Sequence, residues 1–221
     1  AITRVAHWGD STIAADDVTS TLRRRFQQRF GDAGHGFMLV GHGTMPYRHR
    51  DVETDEKGPW RISNIIRRER HDGRYGYGGV IHRCREGGVA RFGTVEKGPI
   101  GLIVDRFELY YQRHPDGGRL DYRIDDGPSA TLDTDGEQSD DVLVVPVERG
   151  EHTLEIRASG GGEVRLYGVV LENEGPGVVY DSLGIVGARA SRLLYADPDH
   201  FAGQVRRRSP DLMILAFGGN E

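Results

Sequence analysis

The sequence predicts an α/β protein, a parallel sheet with helices on both faces, into which an all-β sandwich is inserted. Three observations carry this. Residues 1–43 pair an apolar run with an amphipathic helical pattern, and residues 176–221 do so again. Residues 44–175 between them break into short strand-like runs separated by Gly-, Asp- and Pro-rich turns. The chain is therefore divided into a first α/β part (1–43), an inserted β-sandwich (44–175) and a second α/β part (176–221).

Ile2 to Trp8 reads as a strand that breaks at Gly9-Asp10-Ser11. In the helix that follows, Asp16 or Asp17 can cap the start, and Val18, Leu22, Phe26 and Phe30 form one apolar stripe. Gly31 supplies a left-handed stop. From about Thr44 the period changes to two: Phe107, Leu109 and Tyr111 alternate, as do Leu120, Tyr122 and Ile124, then Leu154 and Ile156, then Val164, Leu166 and Val170. Turn signals such as "HPDGGR", "IDDGPS" and "SGGGE" fall between them at the spacing of an antiparallel meander. Most of the 32 glycines lie here and serve turns, since "GRYGYGG" lacks the strand-to-helix context of a nucleotide loop. After "NEGPG", "VVYDSLGIVG" reads as a buried strand ending in a glycine loop. Asp197 and Pro198 then open a helix carrying Phe201 and Val205, and Pro210 stops it. The continuous apolar run "DLMILAF" predicts a strand covered on both faces, ending at Gly218-Gly219-Asn220.

Bulk properties remove several function classes. With 29 Lys+Arg against 34 Asp+Glu the net charge is −5, so there is no electrostatic case for nucleic acid or an anionic membrane surface as partner. Arg23-Arg24-Arg25 and Arg206-Arg207-Arg208 read as solvated helix faces. No apolar run approaches the roughly 20 residues of a membrane-spanning helix. The chain starts at Ala1, as a processed or excised protein does, and shows no signal peptide as it stands. The single cysteine, Cys84, is expected to be a buried small hydrophobe. No metal is expected: the histidines show no zinc spacing, and "DTDGEQSDD" lacks the third alternating ligand and distal Glu of a calcium loop. Trp60, Tyr75, Tyr77, Tyr110 and Tyr111 could stack on sugar rings, but most are expected in the core.

In an open parallel sheet, functional groups gather outside the carboxyl ends of the strands. Three such ends emit Gly-Asp-Ser, the loop Gly184 to Gly187, and Gly-Gly-Asn. Acyl transfer needs a hydroxyl nucleophile and donors aimed at the oxyanion of a tetrahedral intermediate. Ser11 can supply the hydroxyl. The backbone N–H groups of Ser11 and Gly187 and the side-chain amide of Asn220 can supply the oxyanion hole.

"GDS", "GIVGA" and "FGGN", in that order, resemble the first three sequence blocks of the SGNH or GDSL hydrolases. The stretch "GDSTIAADDVTSTLRRRFQQRFGDAGHGF" is closer still to the peptidoglycan O-acetylesterase branch, in which a jelly roll like a carbohydrate-binding module lies between the first and second blocks. The resemblance implies a flavodoxin-like core with a jelly-roll insert, Ser11 as nucleophile, and Ser11, Gly187 and Asn220 as oxyanion donors, with Asp10 supporting the turn. It implies a serine esterase that removes O-acetyl groups from a cell-wall or extracellular polysaccharide, needs no cofactor, and works in the periplasm or outside the cell. The family's base and its orienting acid come from an Asp-x-x-His motif after the asparagine block, whereas this sequence stops at Glu221. The chain is thus expected to be a fragment whose C-terminal remainder, or a second chain, supplies the histidine. Asp32/His35 and Asp197/His200 have the spacing but precede that block, and neither is expected to be the dyad. Two alternatives stay open: a catalytically inactive carbohydrate-binding protein, and an O-acetyltransferase on the same scaffold.

Overall fold

The computed structural model describes residues 1–41 and 47–221; the predicted boundary at 43/44 lies outside the described residues. Two unequal sheets make up the molecule. The small one is parallel. Its central strand β1 (Ile2–Gly9) leads into helices α1 (Ser11–Ala14) and α2 (Asp17–Phe30). The large one is antiparallel and joins β2 (Gly36–Met38), β3 (Glu53–Lys57), β4 (Arg61–Asn64), β5 (Val80–Gly93), β6 (Val104–Arg113), β7 (Arg119–Ile124), β8 (Ala130–Asp133), β9 (Ser139–Gly150) and β10 (Thr153–Glu172). The chain then returns to the parallel sheet as β11 (Gly177–Gly184), passes through helix α3 (Pro198–Arg208), and ends with β12 (Leu212–Ala216). The parallel order is β11-β1-β12.

This overturns the predicted α/β class and the flavodoxin-like core. Three parallel strands stand against nine antiparallel ones, so the molecule is predominantly antiparallel β. Each parallel neighbour needs a long crossover, whereas antiparallel neighbours need only tight turns, which the Gly- and Asp-rich middle of the chain supplies in number. One face of β1 meets α2 through Val5 and Leu22. On the other face, Ala6 and Trp8 share a core with α3 and also with Phe37, Tyr77, Tyr110 and Tyr167 of the antiparallel part. A surface predicted to carry helices is thus partly covered by the large sheet. The strands expected in the inserted sandwich all belong to one connected hydrogen-bonded network.

β10 runs through that network, pairing with β5 and β7 early in its length and with β2 and β6 later. A register shift between Leu166 and Gly168 adds one residue against β6. Such a bulge reverses the alternation beyond it. Val164 and Leu166 therefore face the main antiparallel core together with Val169 and Leu171, while Val170, expected on their face, joins Tyr167 in the core shared with β1. Gly168 makes the crossing possible: a Cβ there would lie 2.3 Å from Phe37 Cζ and 2.5 Å from the Met38 carbonyl oxygen.

Helix α2 reverses another expectation. Thr19, Ser20, Arg23 and Gln27 are its buried residues, whereas Val18, Phe26 and Phe30 of the apolar stripe are exposed. Hydrogen bonds fix the orientation. Gln27 Nε2 donates to the carbonyls of Gly34 and Val178, Arg23 pairs with Asp16 at 2.9 Å, and the Thr19 and Ser182 hydroxyls lie 2.9 Å apart.

Neither arginine run is a wholly solvated face, for Arg23 and Arg208 are buried. Arg208 donates twice to Asp181 at 2.8 Å and also pairs with Glu172, which receives Arg4 at 2.8 Å and Arg106 at 2.5 Å. Burial by itself would raise the Glu172 carboxyl, but Arg208 and Arg4 outweigh it and hold it down at about 2. This network ties α3 and β11 to the end of β10.

Candidate active site

The parallel register brings three loops to one edge. Gly9 pairs with Gly184 on one side and with Ala216 on the other, so β1, β11 and β12 finish level. Gly184 lets the first helix close over that edge, since a Cβ there would lie 2.0 Å from the Ala14 amide nitrogen. Asp10 caps α1: its Oδ1 accepts the Thr12 amide at 3.0 Å, and its backbone carbonyl accepts the Ile13 and Ala14 amides. The side chain that caps is therefore Asp10, which is buried. Ser11, the first residue of α1, is exposed and hydrogen-bonds to no side chain of the described residues.

Direct contacts hold the three loops against one another. The Ile185 amide donates to the Gly9 carbonyl at 3.0 Å. A Cβ on Gly219 would sit 3.0 Å from Asp10 Oδ2, which places the Gly-Gly-Asn turn beside the residue before Ser11. Asn220 Nδ2 donates to the Ala188 carbonyl at 3.1 Å, one residue from Gly187. Gly187 is exposed, adopts φ +78°, and has open space where a Cβ would be. The loops that carry Ser11, Gly187 and Asn220 are thus neighbours at one edge of the parallel sheet.

The two in-chain Asp-x-x-His pairs are committed to other work. His200 is buried; its Nε2 takes the Gly76 amide at 2.9 Å, and its Nδ1 lies 2.6 Å from Asp140. Because Nε2 accepts, Nδ1 carries the proton and donates to Asp140. Asp197 caps α3 by accepting the His200 amide at 2.8 Å. His35 Nε2 faces His49 Nδ1 at 2.8 Å, and Asp32 receives the amides of Gly34 and Gly101. Burial pushes His35 well below the usual histidine range. No histidine of the described residues is hydrogen-bonded to Ser11, and no group of three or more His, Cys, Asp or Glu among them could hold a metal ion.

No family model matches the chain, and no curated protein matches it in sequence. Among solved structures, a peptidoglycan O-acetylesterase superposes with a TM-score of 0.76 at 20% identity, over 100% of this chain and 57% of that one. The two share a fold. The chain thus spans little more than half the length of that esterase. A family-two carbohydrate esterase from Cellvibrio japonicus aligns at TM-score 0.32 and 16% identity, over 76% of this chain and 68% of its own. A two-domain esterase active on acetylated mannans aligns at 0.31 and 11%, over 42% and 28%. Those two scores are too low to establish a common fold.

Several residues at the same edge had no role in the sequence reading. A small cavity lies beneath the loops, lined by Gly9, Ile185, Ala188, Arg189, Arg192 and Phe217 among others. Ala190 to Tyr195 form a 3-10 turn immediately after the Gly187 loop, and its Arg192 lines that cavity. The clue in the sequence was "ARASRLLY", two arginines and a tyrosine directly downstream of a candidate oxyanion donor. Of the five aromatics considered for sugar stacking, Tyr75, Tyr77, Tyr110 and Tyr111 are buried in the cores and Trp60 is partly buried.

Proposed function

We propose that the chain carries the nucleophile and oxyanion hole of an SGNH-type serine esterase that removes O-acetyl groups from a cell-wall or extracellular polysaccharide of the peptidoglycan type. The observation that carries the reading is the convergence of Ser11, Gly187 and Asn220 on loops of three level strand ends. The O-acetylesterase fold supports it.

Ser11 Oγ attacks the acetyl carbonyl while a base takes its proton, and negative charge develops on the carbonyl oxygen. The amides of Ser11 and Gly187 and the Asn220 carboxamide stabilise that oxygen, with Asn220 Nδ2 turning from Ala188 toward the substrate. The sugar hydroxyl leaves with a proton, and water then releases acetate from the acetyl-serine. Both in-chain Asp-x-x-His pairs are engaged elsewhere, so on this reading the base is an imidazole other than His35 and His200, with a further segment of the same protein or a second chain as its proposed source. An acetylated glycan as substrate implies a periplasmic or secreted setting, and the reaction asks for no cofactor.

Acetate release from O-acetylated peptidoglycan, measured for the wild-type protein and a Ser11→Ala variant, tests the reading. Loss of the nucleophile is expected to cost on the order of a thousandfold or more in kcat. Equal rates would rule out Ser11. Glycan binding without acetate release in either protein would favour the inactive binder, and acetyl transfer to a sugar hydroxyl in preference to water would favour the transferase.

A further inference from the structure

Arg68 and Arg192 converge on one ring at the border of the candidate active site. Their guanidinium carbons lie 4.9 and 5.1 Å from the centroid of Tyr195. Arg192 also donates to the Tyr195 hydroxyl at 2.8 Å. Each cation gains from the ring face, but two like charges drawn to one tyrosine repel, and neither is ion-paired with a carboxylate among the described residues. The carboxylates of this region are engaged otherwise: Glu69 lies 3.7 Å from Arg67, and Glu221 accepts the Ala190 amide at 2.9 Å. Arg192 Nε is buried without a hydrogen-bond partner among the described residues. Arg68 holds its position at φ +53°, a left-handed conformation that an arginine rarely adopts. Arg189, exposed and next to Ala188, adds a third positive charge on the wall that Arg192 shares with Gly9.

We propose that Arg68, Arg192 and Tyr195 form a subsite for an anionic sugar, so that the polysaccharide entering this site is acidic and is held through its carboxylate. The planar guanidinium fork matches a carboxylate in a bidentate manner, and the Tyr195 ring holds the two guanidiniums beside one another. An arriving carboxylate relieves the repulsion between the two arginines, which a neutral glycan does not. The inference rests on the deacetylase reading for the ligand being a glycan, but it adds a selectivity which that reading does not contain.

The test is equilibrium binding of the whole chain to an oligogalacturonate, to the neutral oligosaccharide made by reducing its carboxyl groups, and to poly(glycerol phosphate). The acidic sugar is expected to bind at least about tenfold more tightly than the neutral one, the worth of one charge-assisted hydrogen bond, with the advantage shrinking as salt is raised. Arg192→Gln and Arg68→Gln are expected to remove that advantage, Arg192→Lys to keep part of it, and Arg207→Gln, on an exposed part of α3, to leave it intact. Equal binding of acidic and neutral sugars by the wild-type chain would overturn the proposal whether or not any variant folds. Preference for poly(glycerol phosphate) over the uronate would overturn the carboxylate assignment. Failure of the parent reading shows separately: charge-dependent binding with no acetate release from any ester by the full-length protein removes the esterase and leaves the subsite standing.

Discussion

The two flanks of β1 differ in a way that separates what the fold has finished from what it leaves open. β11, on one side, is buried along its whole length, from Gly177 to Gly184. β12, on the other, exposes Leu212, Met213 and Leu215, the last at 60%. The apolar run was expected to mean cover on both faces. Here β12 pairs with β1 along one edge, and no described element covers those three side chains. On helix α2, Phe30 is 55% exposed, and together with Phe26 and Leu212 it lines an apolar cavity beside Val5 and Val178. Identical residue types therefore carry different energetic weight in the two regions. The antiparallel core draws its stability from burial, whereas Leu212, Phe26 and Phe30 border one open apolar cavity.

Four predictions sharpen or break this contrast. The largest effect is expected where the two sheets meet. Arg208→Ala removes the cation paired with buried Asp181 and one of the three on Glu172, and leaving the buried Asp181 carboxylate without its cation costs about 3–5 kcal/mol in denaturant unfolding. Close behind, Phe107→Ala in the antiparallel core should cost about 3–4 kcal/mol through lost burial and the cavity left.

Acid should act next. His49 is held down to about 4 by burial, and His35 lies well below its ordinary 6.5, so both stay neutral in the folded protein while the unfolded chain takes up protons. Stability is thus complete above about pH 6.5 and falls as pH drops toward 4, by a few kcal/mol in all. Glu172, with its carboxyl depressed to about 2, adds a further loss from about pH 4.5 down to 2. A melting temperature that does not change between pH 7 and 4 would contradict the neutral His35–His49 pair. The smallest effect is expected on the open side: Phe30→Ser should shift stability by less than about 0.5 kcal/mol while lowering the binding of an apolar fluorescent dye. A loss as large as that of Phe107→Ala would mean that the helix stripe is covered after all.

What the sequence made legible was local. Gly-Asp-Ser, the glycine loop and Gly-Gly-Asn lie at strand ends because each is a chain break next to an apolar run, and the parallel register brings those breaks level. The helix spans and the antiparallel texture of the middle were readable for the same reason, since periodicity and turn residues act over a few positions. The fold class was not readable, because the weight of the large sheet depends on which strands pair. The face of α2 was misjudged, because Gln27 and Arg23 find partners far away in sequence that outweigh the apolar stripe. Arg208 was taken as solvated for the same reason, its carboxylate partners lying on β10 and β11. The displacement of Val170 to the opposite face follows from a bulge at Tyr167 that only pairing with β6 defines. Arg192 and Tyr195 stood next to the Gly187 loop in the sequence, but Arg68 reaches them from a distant turn.

Covalent trapping tests the site most directly. Incubation with diethyl p-nitrophenyl phosphate, a neutral mimic of the attacked ester, followed by peptide mass spectrometry on the full-length protein, is expected to show one phosphoryl adduct, on the peptide bearing Ser11, and none in the Ser11→Ala variant. An adduct on another serine, or equal labelling of the variant, would contradict the assignment of the nucleophile to the end of β1.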